Sequence, residues 1–331
     1  MTPVADRYLD ADLRGQVSGY PVWPAISPIE YRGDAPILDA AVAWLHAHLR
    51  WFDPNIWERM LPPRPFREGA ALELLMLCRI LRRGRFHDHP LIADAVELAH
   101  SLAATDSFHA ALGLGDDKFP YRAYLVALLA DLGRPVPGAA ERVRTVLATG
   151  CGGQHGAWRT PLSRLELHYV LELGQFPNPL PPSADLLELS IIAGAPDPLY
   201  LRDDEVYALT HVLFYATDFA ARPTPVEPEL VEALRTLLGT YLALGDMDLA
   251  GELLLCLLAI GPPDCALTTH GWHTLARHRL SDGAVPGPLF DPARWSTLRD
   301  EVAEGYAFGT CHHTTMVAAM AAAERERHRA R

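Results

Sequence analysis

Basic charge is short in this sequence: 29 Lys and Arg stand against 41 Asp and Glu, a net charge of −12. A nucleic-acid partner needs a basic surface that displaces counterions, and the two basic runs, RILRRGR at 79–85 and the terminal ERERHRAR, read as solvated helix ends. No nucleic acid is expected. Apolar runs fall short of the roughly 20 residues that a membrane span requires. The opening MTPVADRYLDADLRG lacks the basic and apolar segments of a secretory signal. The expectation is a cytoplasmic protein without a membrane partner. The five cysteines are odd in number and have no C-x-x-C spacing, so free thiols are expected rather than disulfides. Neither G-x-x-x-x-G-K-[ST] nor G-x-G-x-x-G occurs, which removes the usual support for nucleotide binding. G-x-S-x-G is absent too, and with it the signature of a hydrolase nucleophile elbow.

Strand alternation is almost missing, and helical periodicity fills its place. It begins at Ile37 and recurs near 67–83, 90–104, 118–133, 138–149, 161–174, 184–193, 203–221, 227–244, 246–260, 264–280, 296–307 and 311–329. Pro and Gly gather between these stretches, as in FPNPLPPSAD at 176–185 and SDGAVPGPLFDP at 281–292. The first 35 residues hold no period but carry Tyr20, Val22, Trp23 and Ile26, which predicts an ordered N-terminal arm before a single all-helical domain at 36–331. Paired helices recurring about every 40 residues predict an all-α array, either an open solenoid or a closed (α/α) toroid around a central cavity.

The stretch Asp203 to Ala221 favours the toroid. On a helix, Tyr207, His211, Phe214 and Asp218 fall on one stripe, while Val206, Leu209, Val212, Leu213, Ala216 and Phe219 make the rest apolar. A buried helix with a polar seam needs partners or a wet cavity for that seam. Far downstream, Cys311, His312 and His313 are read at the start of the last helix with Thr310 as N-cap, where the helix dipole favours thiolate and neutral imidazole. If the two segments meet, His211 and Asp218 with members of Cys311, His312 and His313 suit Zn²⁺ or Fe²⁺. Without a metal, Asp218 orients His211 as general base and Tyr207, Tyr215 or Cys311 serves as acid. A third reading pairs His211 with Asp218 only to fix the helix.

Two further segments offer substrate contacts. TTHGWHTLARH at 268–278 supplies Trp272 and His273 as candidate lining residues. The glycine-rich stretch at 149–169 supplies Cys151, His155, Trp158 and Arg159, where Arg159 suits a carboxylate or phosphate. Cys78 and Cys256 lie in leucine-rich runs and read as core.

The Y-x-x-T-H segment (Tyr207, Thr210, His211) and the H-T-T segment (His313, Thr314, Thr315) resemble a bacterial all-helical family of unknown function over the C-terminal two thirds. That resemblance implies that these positions sit together, and it attaches an expectation of specialised biosynthesis. Cys311–His312 is also similar to the Cys-His zinc ligands of lanthionine cyclases, which are helical toroids. Here the glycine-rich Cys151 loop lies far from the pair, where that family has its motif close by. The expectation is an enzyme acting on a small molecule or short peptide by His/Asp acid–base or metal-assisted chemistry, as a lyase, isomerase, cyclase or hydrolase. The alternatives are a helical scaffold for a peptide or protein partner and a small-ligand binding protein.

Overall fold

The computed structural model describes residues 36–330 apart from 154–155, 157, 195, 223, 225 and 262–264. The expected arm at 1–35 and His155 lie outside the described residues. The chain is all-α: the described residues form fifteen α-helices and one short 3₁₀ turn, with no strand. The helices are α1 (Ile37–Ala47), α2 (Pro54–Met60), α3 (Gly69–Leu81), α4 (Pro90–Ala103), α5 (Asp106–Leu114), α6 (Phe119–Asp131), α7 (Ala139–Ala148) and α8 (Pro161–Leu173). After them come α9 (Ser183–Glu188), α10 (Asp203–Thr217), α11 (Pro228–Leu244), α12 (Met247–Ile260), α13 (Ala266–His278), α14 (Pro292–Thr297) and α15 (Asp300–Arg329). Local chemistry sets many of these bounds. Thr105, Thr160 and Asp246 cap the free amides that open α5, α8 and α12, and Gly245 adopts the left-handed conformation that ends α11.

Six helices place the site. α3 packs on α6, α6 on α8, α8 on α10, α10 on α12, α12 on α15, and α15 on α3 again, so their order of contact is cyclic. The others lie outside them: α4 against α3 and α6, α9 against α8 and α10, α11 and α13 against α12, and α1 against α15. Helices of the cycle are apolar on nearly every side, as α12 shows with Met247 to Leu258 all buried. No described helix is long and apolar enough to cross a membrane.

The sequence reading missed α2 and α5 and differs at several helix ends, and two of these differences move candidate residues. The expected helices at 296–307 and 311–329 are instead a short α14 and a continuous 30-residue α15. Gly305 and Gly309 both sit mid-helix, where a Cβ would come within 2.8 Å of the Trp51 ring and 2.7 Å of Leu61. Thr310 therefore caps nothing, and its hydroxyl donates back to the Tyr306 carbonyl at 2.7 Å. The helix expected at 203–221 stops at Thr217, because Asp218, Phe219 and Ala220 all take left-handed backbone angles, with φ of 49°, 52° and 63°.

Candidate functional site

A cavity of about 60 Å³ lies within the cycle of helices, partly open to solvent. Every helix of the cycle lends it a side chain: Glu73 from α3, Tyr124 from α6, Glu166 from α8, His211 from α10, Glu252 from α12 and His313 from α15. Leu72, Met76, Phe214, Phe219, Met316, Val317 and Met320 make the remaining wall apolar.

His313 is the hub of the polar side. Its Nδ1 lies 3.5 Å from Glu73 Oε2, and its Nε2 lies 3.8 Å from Asp248 Oδ1 and 3.9 Å from Glu252 Oε1. These are ion-pair distances, longer than good hydrogen bonds, and among the described residues both ring nitrogens and Glu73 Oε2 are buried without a hydrogen-bond partner. Burial pulls the imidazole pKa down, but Asp248, Glu252 and Glu73 outweigh it and hold the value well above the ordinary one. His313 is accordingly an imidazolium.

The carboxylates around it are anchored from behind. Arg64 donates to Glu73 Oε1 at 2.7 Å. Asp248 accepts from the Tyr207 hydroxyl at 2.6 Å and from Thr314 at 2.9 Å, and Glu252 accepts from Thr210 at 2.5 Å. Burial raises the Asp248 pKa against the opposing pull of His313. Asp248 and Glu252 stand one helical turn apart, so both reach the same face of α12.

His211 meets this group through Glu252, whose Oε2 lies 3.8 Å from His211 Nδ1. The same Nδ1 is 2.8 Å from the Tyr207 carbonyl. A carbonyl can only accept, so Nδ1 carries the hydrogen, and Nε2 is the lone-pair nitrogen of the neutral ring. Across the cavity, Glu166 accepts from the Tyr215 hydroxyl at 2.9 Å. Burial raises its pKa, over the opposing effects of Tyr215, His211 and Arg159.

The two segments singled out in the sequence thus meet at the cavity, but with different partners. Asp218 does not orient His211. Past the end of α10, it is bound by Arg79 Nη1 at 2.5 Å, Arg83 Nη2 at 2.9 Å and the Tyr169 hydroxyl at 2.8 Å. Tyr207 and Tyr215 spend their hydroxyl hydrogens on Asp248 and Glu166, and burial pushes both pKa values well above that of free tyrosine, which makes them poor acids. Cys311 is buried and desolvation pushes its thiol up to about 12, the reverse of the expected thiolate, because it has no helix terminus near it. His312 points away from the cavity into an aromatic cluster, stacked on Phe308 at 4.9 Å and edge-on to Trp57 at 5.3 Å. Hence His211, Asp218, Cys311, His312 and His313 do not converge as ligands, and among the described residues no three His, Cys, Asp or Glu are placed to share a metal ion.

The substrate contacts expected elsewhere also lie off the cavity. Arg159 folds back on its own loop, donating to the Gly153 and Gly152 carbonyls and to Ser163, while Trp158 is 58% exposed. Trp272 is buried under the Arg325 guanidinium, 4.5 Å from its ring, and His273 faces solvent on α13.

Sequence reasoning missed Glu73, Glu166, Asp248 and Glu252. The signal was there for three of them: GAALELLML and MDLAGELLLCLLAI set acids inside otherwise apolar helices, where a charge is costly without a purpose; Glu166, in the mixed SRLELHY, gave no such signal.

Comparison with known proteins gives a family and no function. No curated protein and no solved structure matches the chain. Residues 38–323 match the domain of unknown function DUF6895, and over that span, nearly the whole described helical array, the chain belongs to the DUF6895 family.

Proposed function

We propose that this chain is an enzyme that transforms a small organic molecule in the cavity by proton transfer. His211 takes a proton from the substrate at Nε2, and the His313 imidazolium returns one or stabilises developing negative charge. Glu252 sits between the two rings, 3.8 Å from one and 3.9 Å from the other, and couples their protonation. The observation that carries the reading is His313: a buried imidazolium with neither nitrogen hydrogen-bonded, beside a cavity. Leaving such groups unpaired costs about 1–3 kcal/mol each, which stability alone does not explain.

The cyclic contact order of six helices supports a closed (α/α) toroid over an open solenoid, since a solenoid would leave a groove suited to a peptide or protein partner. Free cysteines are in keeping with a cytoplasmic setting. Lyase, isomerase, cyclase and hydrolase chemistry all use such an acid–base pair, and a zinc- or iron-assisted variant belongs to the same test.

That test is a turnover screen. Wild type, His211→Ala and His313→Gln are each incubated with a defined metabolite mixture, with and without added zinc or iron, and followed by mass spectrometry. A compound consumed by wild type and spared by both variants is the expected result. A compound that binds all three proteins and is never consumed would make this a ligand-binding protein instead.

A further inference from the structure

We infer that the molecule the cavity takes is a small organic cation, a primary ammonium on a short apolar body. The inference rests on the cavity being a ligand site, as proposed above, and adds the chemical class.

Charge around the cavity is unbalanced. Four carboxylates, Glu73, Glu166, Asp248 and Glu252, line or back it. Arg64 is bound to Glu73, and His313 stands among three of the four. Among the described residues no cation is bonded to Glu166, and Arg159, which acts on it from a distance, is held by loop carbonyls. With two cations for four acids the cluster is short of positive charge, and burial raises the pKa values of Glu166 and Asp248. An arriving cation would supply the missing charge.

Acceptor atoms for that cation are at hand. Glu73, only 8% exposed, lines the cavity, its Oε2 without a hydrogen bond among the described residues and 3.5 Å from His313 Nδ1. Glu166 commits Oε1 to Tyr215 and keeps its other oxygen, while Glu252 commits Oε2 to Thr210 and holds Oε1 3.9 Å from His313 Nε2. A bare metal ion suits the site less well. A protonated imidazole has no lone pair for a metal, and the Met76, Met316, Met320, Phe214 and Phe219 walls would gain nothing from a hydrated ion. The same walls reward an alkyl chain, and aromatic faces add attraction for an ammonium. A volume of about 60 Å³, at about 10–15 Å³ for each water-sized group, admits about four to six heavy atoms.

The experiment is an NMR titration of the full chain at pH 7.5 with n-butylamine, 1-butanol and butyrate, and separately with zinc sulfate. Expected is butylamine binding about tenfold more tightly than butanol, no butyrate binding, and about a tenfold loss for butylamine alone in Glu166→Gln or Glu252→Gln. Glutamine at 166 keeps the acceptor for Tyr215, so that variant retains the fold if Glu252→Gln does not. Equal binding of amine and alcohol would overturn the inference and leave the ligand cavity standing. Zinc binding without amine binding would overturn it in favour of metal-assisted chemistry. If none of the probes binds, the cavity is no ligand site of this size, and the proposed function falls with the inference.

Discussion

Two buried polar clusters lie on either side of Phe219, and they are built in opposite ways. Around Asp218 the groups touch: Arg79, Arg83 and Tyr169 approach within 2.5–2.9 Å. The backbone there is also held, with Arg83 donating to the Asp218 carbonyl at 2.9 Å and Arg327 to the Ala220 carbonyl at 2.8 Å. Around His313 the charges stand back at 3.5–3.9 Å and leave both ring nitrogens and Glu73 Oε2 without hydrogen bonds, whereas on the Asp218 side Arg83 Nη2, also without a hydrogen bond of good geometry, still lies 2.9 Å from Asp218 Oδ1. Burial alone does not separate a structural cluster from a site; the separation is whether the partners are already in place. The Asp218 cluster uses its bonds to hold three consecutive left-handed residues, each costing about 1–3 kcal/mol, and so to fix Phe219 in the cavity wall. The His313 cluster holds its bonds open.

If that contrast is right, the largest effect on stability comes from the satisfied side. Asp218→Asn takes from Arg79 and Arg83 the carboxylate they share, leaving Asp131 to the first and Glu324 to the second, and is expected to cost about 3 kcal/mol in urea unfolding at pH 7. A loss below about 1 kcal/mol would erase the contrast. Arginine contacts hold the Asp218 pKa below its ordinary value despite burial. Its contribution is therefore present above the unfolded pKa near 3.8 and is lost as pH falls through the folded value.

His313→Gln breaks no hydrogen bond and is expected to cost about 1 kcal/mol at pH 6. The sign with pH is opposite to that of Asp218. A folded pKa raised above 6.5 contributes stability that is complete below 6.5 and fades as pH rises through the folded value. The gap between wild type and variant, read from thermal unfolding, should therefore narrow toward pH 9. A gap that widens would mean that His313 is neutral.

A last test sharpens the comparison from the acidic side. Asp246, the cap of α12, is pushed up to about 7 by burial and by Asp248. Folding thus keeps a proton that the unfolded chain releases, and the contribution of Asp246 to stability declines between pH 4 and about 7. Asn caps as well as Asp, so Asp246→Asn should match wild type below pH 4 and exceed it at pH 8, as urea unfolding at the two pH values would read.

The helical class and the meeting of the His211 and His313 segments were legible because apolar period and isolated histidines are local signals. The ends of two helices were not. Asp218 terminates α10 without glycine or proline, since distant arginines stabilise its left-handed backbone. Thr310, just after Gly309, read as the cap of the last helix because nothing in that neighbourhood announces Leu61, against which Gly309 packs mid-helix. The four acids were visible as letters, but their convergence depends on how α3, α8, α12 and α15 are arranged, and no spacing within one segment encodes that.

The closure of α15 onto α3 sets a timetable. It is sealed by contacts such as Arg83 with Glu324, which stand 241 positions apart in the chain. Contacts between such distant residues slow folding, because the intervening chain must be ordered before they form. Neighbouring helices of the cycle can pair early, yet Glu73 and His313 meet only when the last gap shuts. The site therefore exists only once the cycle of helices has closed, however well formed the separate helices are.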